Sequence, residues 1–80
     1  MIIRTVVESE VAPVATRLAR EFPGDGFTPA NVHQKVFDDP DYTPALNLAA
    51  WDGSRPLGAL LGTRRGERGY IKALTVAPDA

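Results

Sequence analysis

Residues 70–80 read YIKALTVAPDA, an apolar run followed by a Pro-Asp turn. The run at 70–77 has the length and composition typical of a strand. Two similar segments precede it, ALNLAAW at 45–51 and LGALLGTR at 57–64, and the short polar turns DGSRP and RGERG separate the three. Because short turns connect neighbouring antiparallel strands, we predict that residues 70–77 form the last strand of a three-stranded antiparallel meander.

The first half of the chain has the patterns of one strand and two helices. IIRTVV at residues 2–7 is almost wholly β-branched, as expected of a short strand. Apolar residues then recur at helical spacing, which predicts a helix with Ser9 as its N-cap that ends at FPGDG, residues 22–26. A second helix is predicted with Thr28 as N-cap and Pro29 at its first position. The predicted fold class is therefore α+β: strand, helix, helix, then the meander.

Composition limits the classes of function. The chain has 80 residues, enough for one domain with a thin core. Nine Lys and Arg residues against ten Asp and Glu residues give a formal net charge of −1, so we expect neither nucleic acid nor membrane as a partner. No apolar stretch approaches the length of a membrane span. The lack of cysteine and of a signal-peptide pattern favours the cytoplasm.

Residue counts argue against several common catalytic sites. His33 is the single histidine, so a histidine-rich metal site is not available within the chain and no metal is expected. Ser9 and Ser54 are assigned to a helix cap and a hairpin turn rather than to a nucleophilic triad. The glycine-containing turns match neither a phosphate-binding loop nor a dinucleotide-binding pattern. A function must therefore be inferred from the order of the elements and from residues 48–80.

Residues 48–80 resemble the GNAT superfamily of acyl-CoA N-acyltransferases. In that family a strand with an Asp-Gly turn precedes a strand containing Pro-Leu-Gly, as LAAWDGSRPLGALLG does here, and the fourth strand reads apolar-x-x-Leu-x-Val-x-Pro. The matching residues and the turn after them are Ile71, Leu74, Val76, Pro78, Asp79 and Ala80. The opening IIRTVVESEVAPVATRL resembles the family's first strand and helix. The resemblance implies that residues 1–80 form the N-terminal half of an acyl-CoA N-acyltransferase fold.

The resemblance implies acetyl-CoA as co-substrate and an amine, on a small molecule or a peptide, as acceptor. In the family, acetyl-CoA enters where the fourth and fifth strands separate, and backbone groups of the fourth strand bond its pantetheine arm. That role carries over to the backbone of Leu74, Thr75 and Val76, because an arm containing amides can bond a strand edge as a peptide does. A main-chain N–H there would polarise the acetyl carbonyl. The alternative is that Leu74 and Val76 are core residues whose side chains pack on the helices, and both roles can hold because one uses backbone and the other uses side chains.

The resemblance leaves the catalytic base open. Some family members have a glutamate near the start of the fourth strand, where this chain has Tyr70, with Glu67 three residues earlier in the turn. Tyr70 is expected to share a face with every second residue of its strand, from Lys72 to Val76, and to serve as a structural aromatic or to line the acceptor cleft. Asp25, between the two helices, is a candidate for contacting a cationic amine or for solvation alone.

The chain ends close to an expected cofactor loop. Directly after the fourth strand the family has a glycine-rich loop that opens a helix and holds the CoA pyrophosphate. Because the chain stops at Ala80, one residue earlier, we expect an N-terminal part of an acetyltransferase that alone binds acetyl-CoA weakly or not at all. We also expect the unpaired edge of the last strand to recruit a second copy. The alternative is a small non-catalytic α+β module, for binding or regulation, that self-associates through this strand.

Overall fold

The computed structural model describes residues 1–78, in which four antiparallel strands form one sheet and two helices cover one of its faces. The strands lie in the order in which they occur along the chain. They are β1 (Ile2–Thr5), β2 (Asn47–Asp52), β3 (Arg55–Arg65) and β4 (Arg68–Val76), and the helices α1 (Val11–Glu21) and α2 (Pro29–Val36) come between β1 and β2. The predicted α+β class and the three-stranded meander are confirmed. The predicted turn residues Asp79 and Ala80 lie outside the described residues.

The two helices start differently. Thr28 is the N-cap of α2, as predicted, because its Oγ1 accepts a hydrogen bond of 3.1 Å from the backbone N–H of Asn31. The prediction that Ser9 caps α1 is wrong, because Ser9 lies inside a short 3-10 helix, Glu8–Glu10, that precedes α1. There the Glu10 carboxylate accepts a hydrogen bond of 3.1 Å from the backbone N–H of Val7. A carboxylate rather than a serine hydroxyl therefore binds the free backbone at this entry.

The core lies between the helices and the inner face of the sheet, the face toward them. Its fully buried side chains come from both layers, and among them are Val14, Leu18, Val32, Val36 and Leu61. Three small residues, Ala49, Ala59 and Ala73, line the same sheet face and are buried as well. Small side chains on a sheet let the covering helices approach closely. The sheet also supplies the large buried side chains of Trp51 and Leu61, so both layers fill this thin core.

A β-bulge interrupts the pairing of β3 with β4. Leu61 lies opposite Ala73, but its neighbour Gly62 lies opposite Ile71, so Lys72 is an extra residue without a partner of its own. An extra residue in one strand shifts every side chain beyond it to the other face. The side chains of β4 therefore do not keep a simple alternation between the two faces across Lys72.

The bulge overturns two predictions about β4. Tyr70 lies opposite the buried Thr63, on the inner side, whereas Leu74 and Val76 lie on the outer face. The prediction that Tyr70 shares a face with Leu74 and Val76 is therefore wrong. The prediction that Leu74 and Val76 pack on the helices is also wrong, because their side chains are 54% and 60% exposed. Ala73 and Thr75 take the inner positions of this half of the strand instead.

Candidate functional site

Strand β4 has one free edge within residues 1–78, because it pairs with β3 alone. In an antiparallel pair, residues alternately direct their N–H and C=O groups toward the partner strand and away from it. The N–H of Ala77 donates to the carbonyl oxygen of Leu57 at 2.6 Å, which fixes the phase of the alternation. Two residues earlier, the backbone of Thr75 therefore forms hydrogen bonds with β3. The backbone N–H and C=O groups of Leu74 and Val76 point away from β3, toward the free edge.

The three residues predicted to offer backbone groups thus fall into two classes. Leu74 and Val76 present N–H and C=O groups at the free edge, about 7 Å apart along an extended chain. The Thr75 carbonyl oxygen lies only 2.9 Å from the position that a Cβ on Gly58 would take, so it is directed into the ladder with β3. Leu74 and Val76, but not Thr75, therefore offer backbone groups to a ligand that binds along the free edge.

A shallow apolar groove of about 210 Å³ adjoins this edge on the outer face of the sheet. Its lining includes Ile3, Leu48, Ala50, Gly58, Leu60, Leu74 and Val76. Gly58, in this lining, has no room for a side chain, because a Cβ there would meet the backbone of β4. A strand of backbone donors and acceptors therefore borders an apolar surface, an arrangement suited to an extended ligand with amide groups and apolar segments.

The other predicted site residues lie elsewhere. Tyr70 is on the inner side of the sheet, half exposed, with the Arg65 guanidinium 5.9 Å from its ring centre. Glu67 is exposed in the turn before β4, seven residues of extended chain and so roughly 20 Å from Leu74. Asp25 is exposed in the turn between the helices. The structure does not bring these three side chains together with the outward edge of β4.

The bulge residue Lys72 belongs to a charged cluster that the sequence did not reveal. Its Nζ donates to the backbone carbonyl oxygen of Lys35, near the end of α2, and forms an ion pair with Asp39. Arg65 reaches the same acidic segment, with its Nη2 3.4 Å from the Asp39 Oδ2 and its Nε 3.2 Å from the Asp41 Oδ2. The cluster ties the bulge and the β3–β4 turn to α2.

The charged cluster shifts the pKa of Asp39. The hydrogen bond from Lys72 is the largest cause, and the backbone N–H of Asp41, which donates to the Asp39 Oδ1 at 2.8 Å, is the next. Both favour the ionised carboxylate and lower the pKa of Asp39 from 3.8 to about 2. A carboxylate with so low a pKa is ionised near neutral pH, so it provides the negative charge that pairs with Lys72.

Two further findings concern the part of the chain that the structure describes. No group of three or more His, Asp or Glu side chains among residues 1–78 is placed to hold a metal ion. Neither described helix has both the length and the apolar character needed to cross a membrane. Comparisons of the chain with protein-family models, with curated proteins and with solved structures find no match.

Proposed function

We propose that the chain forms the acyl-arm side of an acetyl-CoA site in an N-acetyltransferase of the GNAT type, which transfers an acetyl group to an amine. One observation carries the proposal: the outward backbone groups of Leu74 and Val76 border the apolar groove on the outer face. The α+β order of the elements and the resemblance of residues 48–80 agree with it. The acceptor is a small molecule or a peptide with a free amine.

The chemistry of the pantetheine arm fits this edge. The arm carries two amides joined by short methylene segments, so it can exchange hydrogen bonds with the free groups of Leu74 and Val76 as an added strand does. Its methylene groups would lie over the apolar groove. One outward N–H of the edge would donate to the acetyl carbonyl oxygen, where negative charge develops as the tetrahedral intermediate forms.

The reaction balances without a cofactor beyond acetyl-CoA. The amine nitrogen attacks the thioester carbonyl carbon, a C–N bond forms, the C–S bond breaks, and coenzyme A leaves as a thiolate that takes up one proton from water. The proton lost by the nitrogen passes to water, because Tyr70 and Glu67 are not beside the Leu74–Val76 edge. In this proposal the described residues contribute arm binding and carbonyl polarisation, and they do not supply the base.

The proposal is tested by following backbone amide resonances during a titration with acetyl-CoA. We expect weak binding in the millimolar range, with larger shifts at Leu74 and Val76 than at Thr75. S-acetylpantetheine should reproduce these shifts, and the nucleotide part of CoA alone should not. Shifts spread evenly over the chain, or produced equally by the nucleotide alone, would contradict the proposal.

A matched pair of variants isolates the backbone contribution. Leu74→Pro removes an outward N–H and leaves the ladder with β3 intact, because proline is tolerated on edge strands at positions whose N–H faces solvent. Leu74→Ala shortens the side chain and keeps the N–H. We expect Leu74→Pro to abolish the shifts at Val76 and Leu74→Ala to retain most of them. Equal losses in both variants would show that the side chain, not the backbone, binds the arm.

A second candidate function is that of a non-catalytic α+β module that self-associates through β4. The free edge and the exposed outer side chains favour it, since Ile71, Leu74 and Val76 all lie beside the unpaired backbone groups. Two copies of β4 pairing antiparallel across a two-fold axis would join the sheets into one. Sedimentation should then detect a dimer that Leu74→Pro dissociates. A monomer at millimolar concentration would exclude this candidate.

A further inference from the structure

A second groove, of about 250 Å³, lies between α1 and the start of β3, on the helix side of the sheet. Its lining residues are Pro13, Thr16, Arg17, Arg20, Arg55 and Pro56. Three of these six are arginines and none is acidic. A concave surface lined by one sign of charge focuses the electrostatic potential and attracts small ions of the opposite sign.

Arg17 is the unusual member of this lining. It is only 9% exposed, and its Nε is buried without a hydrogen-bond partner among the described residues. Glu21, one turn later on α1, pairs with it at 3.8 Å between the Glu21 Oε2 and the Arg17 Nη2, which is longer than a hydrogen bond. A guanidinium that has lost most of its hydration needs close anionic partners. Glu21 compensates the charge of Arg17 only in part.

Arg17 lines the groove, and its buried Nε is a donor without a hydrogen-bond partner among the described residues. Arg20 lies one turn further along the same helix and is exposed. The Thr16 hydroxyl already donates to the Ala12 carbonyl oxygen at 3.1 Å. The donors available to a ligand from α1 are therefore the guanidinium groups of Arg17 and Arg20.

We infer that this groove binds a phosphate group, held by Arg17 and Arg20. A guanidinium presents its N–H donors in a planar fork that matches two oxygens of a phosphate. A phosphate dianion balances two guanidinium charges, whereas a single carboxylate would leave one of them unmatched. The inference does not rest on the proposed acetyltransferase function, because the groove is on the opposite side of the sheet from the apolar groove and uses different residues.

The test is a titration of the whole chain with inorganic phosphate at constant ionic strength, with chloride as the replaced anion. We expect saturable shifts of the Arg17 side-chain Nε–H resonance and of the Arg20 backbone amide. Phosphate should also raise the midpoint of thermal unfolding, because a ligand that binds only the folded state stabilises it. Shifts that grow linearly without saturation would mark a general ionic effect and overturn the inference.

Two variants with the same change of charge separate the groove from the net charge. Arg20→Gln alters an exposed groove residue, so the fold should persist, and we expect it to weaken phosphate binding by about fivefold or more. Arg68→Gln alters an exposed arginine in the β3–β4 turn and should leave the affinity within about twofold. Arg17→Gln, where it folds, should abolish saturation. Equal weakening by Arg20→Gln and Arg68→Gln would overturn the inference.

The same titration distinguishes the two sources of a phosphate group. In glycerol phosphate the phosphate group is attached to a small organic molecule, whereas inorganic phosphate is the free ion. Tighter binding of glycerol phosphate would identify a phosphorylated metabolite as the ligand class, and tighter binding of inorganic phosphate would identify the free ion. Failure of both to saturate the Arg17 resonance would remove the site and would leave the β4 edge untouched.

Discussion

The two faces of the sheet differ in a way that their amino acids alone do not suggest. On the inner face, small residues such as Ala59 and Ala73 are buried, as is Leu61. On the outer face, Ile3 and Leu74 are more than half exposed although both are large and apolar. Burial here is decided by which face the helices cover, not by which residues are more hydrophobic. Contiguous exposed apolar surface is common at the interaction sites of proteins.

The largest difference between the faces is expected from one substitution made on each. Leu61 on the inner face is fully buried, and Leu74 on the outer face is half exposed. Leu61→Ala should lower the free energy of unfolding by about 3 kcal/mol, because it removes buried methyl groups and leaves a cavity. Leu74→Ala should cost less than about 1 kcal/mol. Urea denaturation of both variants measures the pair, and similar losses would mean that the outer face is also packed.

Gly58 offers a sharper probe of how closely β3 and β4 approach. A Cβ there would lie 2.9 Å from the Thr75 carbonyl oxygen, which is backbone and cannot move aside cheaply. Gly58→Ala is therefore expected to destabilise the chain by about 2 kcal/mol. Gly69 is the matched control, because a Cβ there meets no atom within 4 Å. Gly69→Ala should be neutral or slightly stabilising, and a neutral Gly58→Ala would contradict the close approach.

The charged cluster at the bulge, on the inner side of the sheet, predicts a pH dependence of stability. Asp39 has its pKa lowered from 3.8 to about 2, so its ion pair with Lys72 stabilises the fold above the higher value and is lost as the pH falls through the lower one. The free energy of unfolding should therefore fall across this acid range. Asp39→Asn should lower stability at neutral pH and remove that part of the fall.

The control for this fall in stability at acid pH is Asp52→Asn, the same chemical change at the exposed end of β2. Because Asp52 is not part of the charged cluster, Asp52→Asn should keep the part of the fall that the Lys72–Asp39 pair causes. Urea midpoints measured at several pH values between neutral and acid compare the two variants. If the stability of Asp39→Asn falls at acid pH as much as that of the parent chain, the Lys72–Asp39 pair does not cause the fall.

The fold was predictable from the sequence because its signals are local. Apolar spacing gave both helices, the cap at Thr28 was correctly identified, and short polar turns gave the meander. The bulge at Lys72 was not predictable, because it depends on the register in which β3 and β4 pair. The direction of the Leu74 and Val76 backbone groups depends on the phase of the same ladder. The burial of Arg17 depends on what packs around α1, although its position three residues after Val14 was a signal.

The smallest expected effect comes from replacing Val76, which is 60% exposed, by threonine. The two side chains have nearly the same shape, so Val76→Thr should change the free energy of unfolding by less than about 0.5 kcal/mol. Val36→Thr makes the same change in the core. It should lower the free energy of unfolding by about 1–3 kcal/mol, because it buries a hydroxyl where the core provides no hydrogen-bond partner.

The Val76 result also decides whether the outer face is open in solution. A cost near that of Val36→Thr would mean that another surface covers the outer face, because an exposed hydroxyl carries no desolvation penalty. The most direct candidate is a second copy of the chain pairing along β4. Stability would then rise with protein concentration, since a partner that binds only the folded state stabilises it by mass action. Concentration-independent urea midpoints together with a neutral Val76→Thr would instead leave the outer face and the edge beside it free for a small ligand.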